Sequence, residues 1–89
     1  MLAVYKYPLP LGACATVSMP RGARVLCVQA QHDAPCVWAL VDPDAPLEPR
    51  HFRIVATGQT IDADALVSAY HGTFQLHGAL VFHLFEAKP

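Results

Sequence analysis

Apolar and polar positions alternate with period two along most of this chain, in short pieces cut by proline and glycine. A period of two sends successive side chains to opposite faces of an extended backbone, so the pieces predict strands. The first, Leu2 to Tyr7 ("LAVYKY"), is stopped by Pro8 and Pro10, which have no N–H to give a ladder. Ala13 to Met19 ("ACATVSM") follows and ends at the turn-forming Pro20-Arg21-Gly22. Arg24 to Gln31 ("RVLCVQAQ") and Pro35 to Asp42 ("PCVWALVD") flank His32-Asp33-Ala34, a loop of turn formers. Pairing these two across Gln31 to Pro35 sets Leu26, Val28 and Ala30 against Leu40, Trp38 and Cys36 on one face. Val25, Cys27 and Gln29 then meet Val41, Ala39 and Val37 on the other. Both faces are apolar, which predicts a hairpin covered on two sides.

Asp42 to Pro49 ("DPDAPLEP") predicts a proline-punctuated loop. Arg50 to Thr57 ("RHFRIVAT") alternates again, with Phe52, Ile54 and Ala56 on one side and His51, Arg53 and Thr57 on the other. Val55 falls on that second side, and the pattern predicts a half-exposed or edge strand. Asp62 to Tyr70 ("DADALVSAY") is the one helical candidate. Asp62 suits a cap, Ile61 and Leu66 a hydrophobic staple, and Gly72 lies just beyond the end.

The last stretch, Tyr70 to Glu86 ("YHGTFQLHGALVFHLFE"), predicts a hairpin punctuated by His77-Gly78. A loop of Leu76-His77-Gly78 puts Phe74, Leu80, Phe82 and Leu84 on one core face. A two-residue loop would mix Thr73 and Gln75 with Leu80 and Phe82, so the odd loop fits the pattern better. This register places His71 opposite His83. The expectation is one all-β domain over residues 1–89: a small antiparallel sandwich or partly open barrel of about six strands, with at most one short helix.

Composition changes this picture in one respect. Of the 89 residues, 54% are hydrophobic and only 15% charged, which is apolar for so small a domain. A covering partner, most simply a second copy in a homodimer, accounts for it. Net charge is −1 with no basic run, which argues against nucleic-acid binding. Three cysteines with no Cys-x-x-Cys pair argue against a disulfide framework and for a reducing compartment. No apolar run reaches the ~18–20 residues that cross a bilayer. Leu11-Gly12-Ala13-Cys14 has the form of a lipoprotein cleavage box, but Lys6, Pro8 and Pro10 interrupt the apolar stretch that a signal requires.

Candidate chemistry is sparse. Opposed His71 and His83 would have Cβ atoms ~4.5–5.5 Å apart, close enough to share a metal. A third ligand would have to come from His51, Asp42, Asp44 or Glu48, and no compact metal motif is present, so imidazoles lining a half-exposed sheet face are the simpler reading. Asp42, Asp44 and Glu48 read as turn residues. Ser18 and Ser68 lack a nucleophile elbow, and Cys27 and Cys36 lie in apolar runs where buried thiols sit. Arg50, His51 and Arg53 form the one compact cationic set and suit a phosphate or a partner's carboxylates. The expected binding residues are therefore Arg50, His51, Arg53, His71 and His83, with no catalytic residue and no cofactor.

The segments "YKYPLP", "MPRGARVLCVQAQ", "PCVWALVDPDAP", "RHFRIVATG" and "YHGTFQLHGALVFHLFE" together resemble a family of small uncharacterised proteins encoded by bacteriophages and prophages. The resemblance spans nearly the whole chain. It implies a cytoplasmic protein of a bacterial host, and its setting suggests counter-defence: occupying a host immune protein or sequestering a nucleotide signal. Other classes are a minor virion or assembly component, and a metal-dependent hydrolase built on His71, His83 and a carboxylate.

Overall fold

A computed structural model describes residues 1–10, 12–62 and 69–87. Seven strands fill it: β1 (Ala3–Pro8), β2 (Cys14–Pro20), β3 (Arg24–Gln31), β4 (Ala34–Val41), β5 (Leu47–Ala56), β6 (Ala69–Leu76) and β7 (Leu80–Glu86). They form two open antiparallel sheets, one in the order β1-β4-β3 and one in the order β2-β5-β7-β6. The expected all-β sandwich is therefore what the sequence folds into, with seven strands and no helix among the described residues. Residues 63–68 of the helical candidate lie outside the described set, and its last two residues, Ala69 and Tyr70, instead open β6.

The core lies between the sheets, where the inward parity of the strands is apolar apart from Arg50 and Glu86 toward one end. Val28, Val37, Ala39 and Val41 come from the first sheet; Ala15, Met19, Phe52, Phe74 and Leu84 come from the second. Met19, Val37, Ala39 and Leu84 are completely buried. At roughly 25 cal/mol per Å² of apolar surface, the larger of these side chains, Met19, Val37 and Leu84, each contribute about 1.5–3 kcal/mol. β3 and β6, the edges of the two sheets, run close together. There Gly72 lies so near Val28 that a Cβ at position 72 would sit 3.3 Å from Val28 Cγ1.

Both hairpin registers differ from expectation. His32 and Asp33 adopt left-handed conformations (φ 51° and 59°), and Gln31 pairs directly with Ala34. This two-residue turn, whose twist matches that of the strands, replaces the expected longer loop and shifts the pairing by one. Val28 now faces Val37 across the core side. A bulge between Val25 and Cys27 shifts it again, and Leu26 is left exposed. In the final hairpin the loop does have three residues, but they are His77 to Ala79. Phe74 consequently pairs with Phe82, and Thr73 rather than His71 pairs with His83. A shift of two preserves parity, so Phe74, Phe82 and Leu84 face inward as expected, while Leu80 at the open end is exposed.

β5 is an interior strand and not an edge, with β2 on one side and β7 on the other. It also starts at Leu47, inside the expected loop. Pro49 is compatible with the ladder because β7 pairs with β5 only from Phe52 to Ala56. Before that point β5 has one free side, where a missing N–H costs nothing.

Candidate functional site

The five residues singled out in the sequence divide between two places. Arg50, an even-numbered position on β5, points between the sheets. Its Nε and Nη2 grip the two carboxylate oxygens of Glu86 on β7, the latter at 2.9 Å. Its Nη1 donates to the Ala23 carbonyl at 2.8 Å, in the turn before β3. His71 reaches the same carboxylate, with Nε2 2.8 Å from Glu86 Oε1. A carboxylate can only accept, so Nε2 carries the proton. The Arg50, Glu86 and His71 side chains are only 17%, 12% and 14% exposed.

Burial pushes the Glu86 carboxyl up, but the hydrogen bonds from Arg50 and His71 outweigh it and hold it below the ordinary range. The Arg50 guanidinium is raised, chiefly by the same hydrogen bond. This group joins β5, β6, β7 and the turn before β3, and its chemistry is architectural.

His71 arrives there because of a bulge. The register of β6 on β7 slips between Tyr70 and Gly72, and Gly72 takes φ +134°, a value that L side chains rarely adopt. The extra residue is His71, which turns inward against the Phe52 ring, 5.9 Å between centroids. The expected His71–His83 pair therefore does not form, and the shared metal pair of the hydrolase reading has no geometric basis. Among the described residues no three His, Cys, Asp or Glu side chains converge to hold a metal ion.

His51, Arg53 and His83 occupy the other place, the outer face of the four-stranded sheet. His83 is half-buried and bonded at both ring nitrogens. Nε2 lies 2.7 Å from Thr57 Oγ1; Nδ1 lies 3.1 Å from the Tyr70 hydroxyl and 3.2 Å from Thr73 Oγ1. Tyr70 and Thr73 are themselves joined at 2.6 Å. The Tyr70 ring packs on Phe85, 5.0 Å between centroids. Next along this face is Arg53, whose neighbours across the ladders are Phe85 and Cys14. His51 follows, with Nδ1 3.1 Å from Thr16 Oγ1. Among the described residues Arg53 has no carboxylate partner, and the strands place no acidic side chain on this face.

Of the remaining candidates, Glu48 is not a turn residue as expected but lies within β5, its carboxylate 3.9 Å from Arg21 Nε, while Asp42 and Asp44 do form a turn. Asp42 Oδ1 accepts from the Asp44 N–H at 3.0 Å, closing a turn as its proline neighbours suggest. Cys36 is buried and its thiol is 3.6 Å from the Ala34 carbonyl; Cys27 is half-buried and Cys14 exposed.

Sequence reasoning passed over Glu86, Tyr70, Thr73 and Thr57. A signal for Glu86 was available, because it shares the inward parity of Phe82 and Leu84 and a carboxylate there demands an internal cation.

The fold and the site together define an all-β sandwich domain with a mildly cationic outer sheet face. The chain belongs to the family described as Domain of unknown function (DUF7352), whose model matches residues 1–89. No curated protein and no solved structure matches it. No helix among the described residues is long and apolar enough to cross a membrane.

Proposed function

We propose that this chain is a non-enzymatic binding protein that docks on an acidic protein surface through the outer face of its four-stranded sheet. The observation that carries this is Arg53, an arginine without a carboxylate partner among the described residues, between two histidines and a row of hydroxyls. Small-molecule sites are concave, whereas this is a sheet surface, with His51, Arg53 and His83 half-buried beside a buried Val55, and it suits a macromolecular partner. Arg53 is a pure donor and the surrounding hydroxyls and imidazoles can also donate, and Tyr70 and Phe85 add the aromatic area on which interfaces rely. In the bacteriophage setting that the sequence segments imply, such a protein would act in the host cytoplasm by covering an immune protein.

The test is affinity capture from bacterial host lysate with wild-type protein and the Arg53→Glu/His51→Ala variant side by side. A partner held by wild type and lost from an equally stable variant supports the reading. A partner retained by the variant overturns it. A nucleotide mass retained in a native mass spectrum would transfer the face to a nucleotide signal.

A second reading concerns self-association. The outer face of the three-stranded sheet exposes Val4 and Leu26 at 55% and 48%, beside half-buried Trp38 and Leu40. A homodimer covering this face would show twice the chain mass in light scattering, and Leu26→Glu would return it to a monomer.

A further inference from the structure

The sandwich is not filled to its end. Where β5 finishes and β4 begins, the sheets enclose a half-open hollow of about 310 Å³. Ile54, Ala56, Phe74, Leu76 and Phe82 line the side of the four-stranded sheet. Gly12 and Ala13 lie on this side too, the Ala13 carbonyl accepting from the Ile54 N–H, and Pro35 of β4 lines the other. Every one of these sheet residues has inward parity, so the hollow is separate from the outer face that carries Arg53 and His83. Its size falls in the range of small-ligand sites, and its lining has their chemistry, apolar with one placed polar group.

We propose that this hollow binds a small planar aromatic molecule carrying one hydrogen-bond acceptor. Two features give the ligand its class. Phe74 and Phe82 are stacked, with centroids 5.7 Å apart and planes 24° apart, so they offer a continuous aromatic wall to a third ring. The polar group is Gln59, pinned at the rim because its Oε1 accepts from the Ala56 N–H at 3.0 Å and its own N–H donates to the Ala56 carbonyl at 3.0 Å. With that oxygen engaged, the amide NH₂ is the part of Gln59 that can donate to a ligand. Small residues keep the space open: glycine at 12 and alanine at 13 and 56 stand where leucine would fill it.

Quinoline is a suitable probe, since it is flat and has one ring nitrogen to accept a hydrogen bond. Titration of the full chain, followed by amide NMR, should move the Ala56, Gln59, Phe74 and Phe82 signals with a dissociation constant on the order of 0.1–1 mM. Ala56→Leu and Ala13→Leu should each weaken binding at least about tenfold by filling the space. Ala13 is exposed, so its variant keeps the test valid if Ala56→Leu fails to fold. Quinoline shifts that persist in a folded filling variant, or no shifts in wild type up to about 1 mM, overturn the proposal. Hexanoate binding at the same signals more tightly than quinoline overturns the aromatic class.

Discussion

Arg50 and Glu86 lie on adjacent strands and meet inside the sandwich as a two-pronged ion pair. Neither residue has an apolar side chain, yet each occupies the inward parity of its strand. Removing one partner leaves the other charge in a poorly solvated place, which is where such pairs become costly to break. Arg50→Ala and Glu86→Ala should each lower unfolding stability by about 2–4 kcal/mol, read as the shift of a urea midpoint. A loss under about 0.5 kcal/mol, the range of ordinary surface substitutions, would show that solvent reaches the pair freely.

The same carboxyl makes stability depend on pH. Its folded pKa is depressed below the ordinary value of 4.5, so the folded state binds fewer protons there than the unfolded chain. The stabilisation is complete above the unfolded pKa and is lost as pH falls through the folded one. Urea midpoints taken from neutral pH down into the acid range should therefore fall below about pH 4.5. Glu86→Gln should reduce that slope, and an unchanged slope would assign the acid sensitivity to other carboxyls.

Gly72 combines a φ of +134° with a position 3.3 Å short of Val28 Cγ1 for any added Cβ. Gly72→Ala meets both obstacles and should cost about 1–3 kcal/mol, seen as a lower melting temperature. Adding Val28→Ala should recover only the steric share, because the backbone strain remains. Full recovery in the double variant would mean that the bulge relaxes to an ordinary conformation.

Arg53 should behave in the opposite way to Arg50. Arg53→Glu breaks no ion pair among the described residues and should leave stability within about 0.5 kcal/mol of wild type. Its effect should fall on partner binding alone. A large stability loss would make Arg53 a structural residue and remove the basis of the docking proposal.

The alternation of residues such as Phe52, Ile54, Phe74, Phe82 and Leu84 made the strands and their inward faces legible in the sequence. The registers were not, because they depend on backbone conformations that residue type only weakly signals. His32-Asp33 form a left-handed two-residue turn without the Asn-Gly or Asp-Gly pair that usually marks one. The hairpin loop shifts the pairing by two, so that Thr73 faces His83, and one extra residue at His71 then turns that imidazole to the opposite side of the sheet. The candidate site was half legible for the same reason. His51, Arg53 and His83 belong to one face, but their grouping with Thr73 depends on the hairpin loop and their grouping with Tyr70 on that bulge. Arg50 was grouped with Arg53 by nearness in sequence, although three positions apart on a strand means opposite sides.

That odd separation along β5 restricts how the chain can change in length. One residue gained or lost between Arg50 and Arg53 would put both guanidinium groups on the same side of the sheet. It would leave Glu86 without its counter-ion, or the outer surface without its cation. Drift in length can therefore enter at the turns, around residues 42–46 for instance, but not within these four positions. In descendants of this sequence the spacing of the two arginines should outlast the identity of most residues around them.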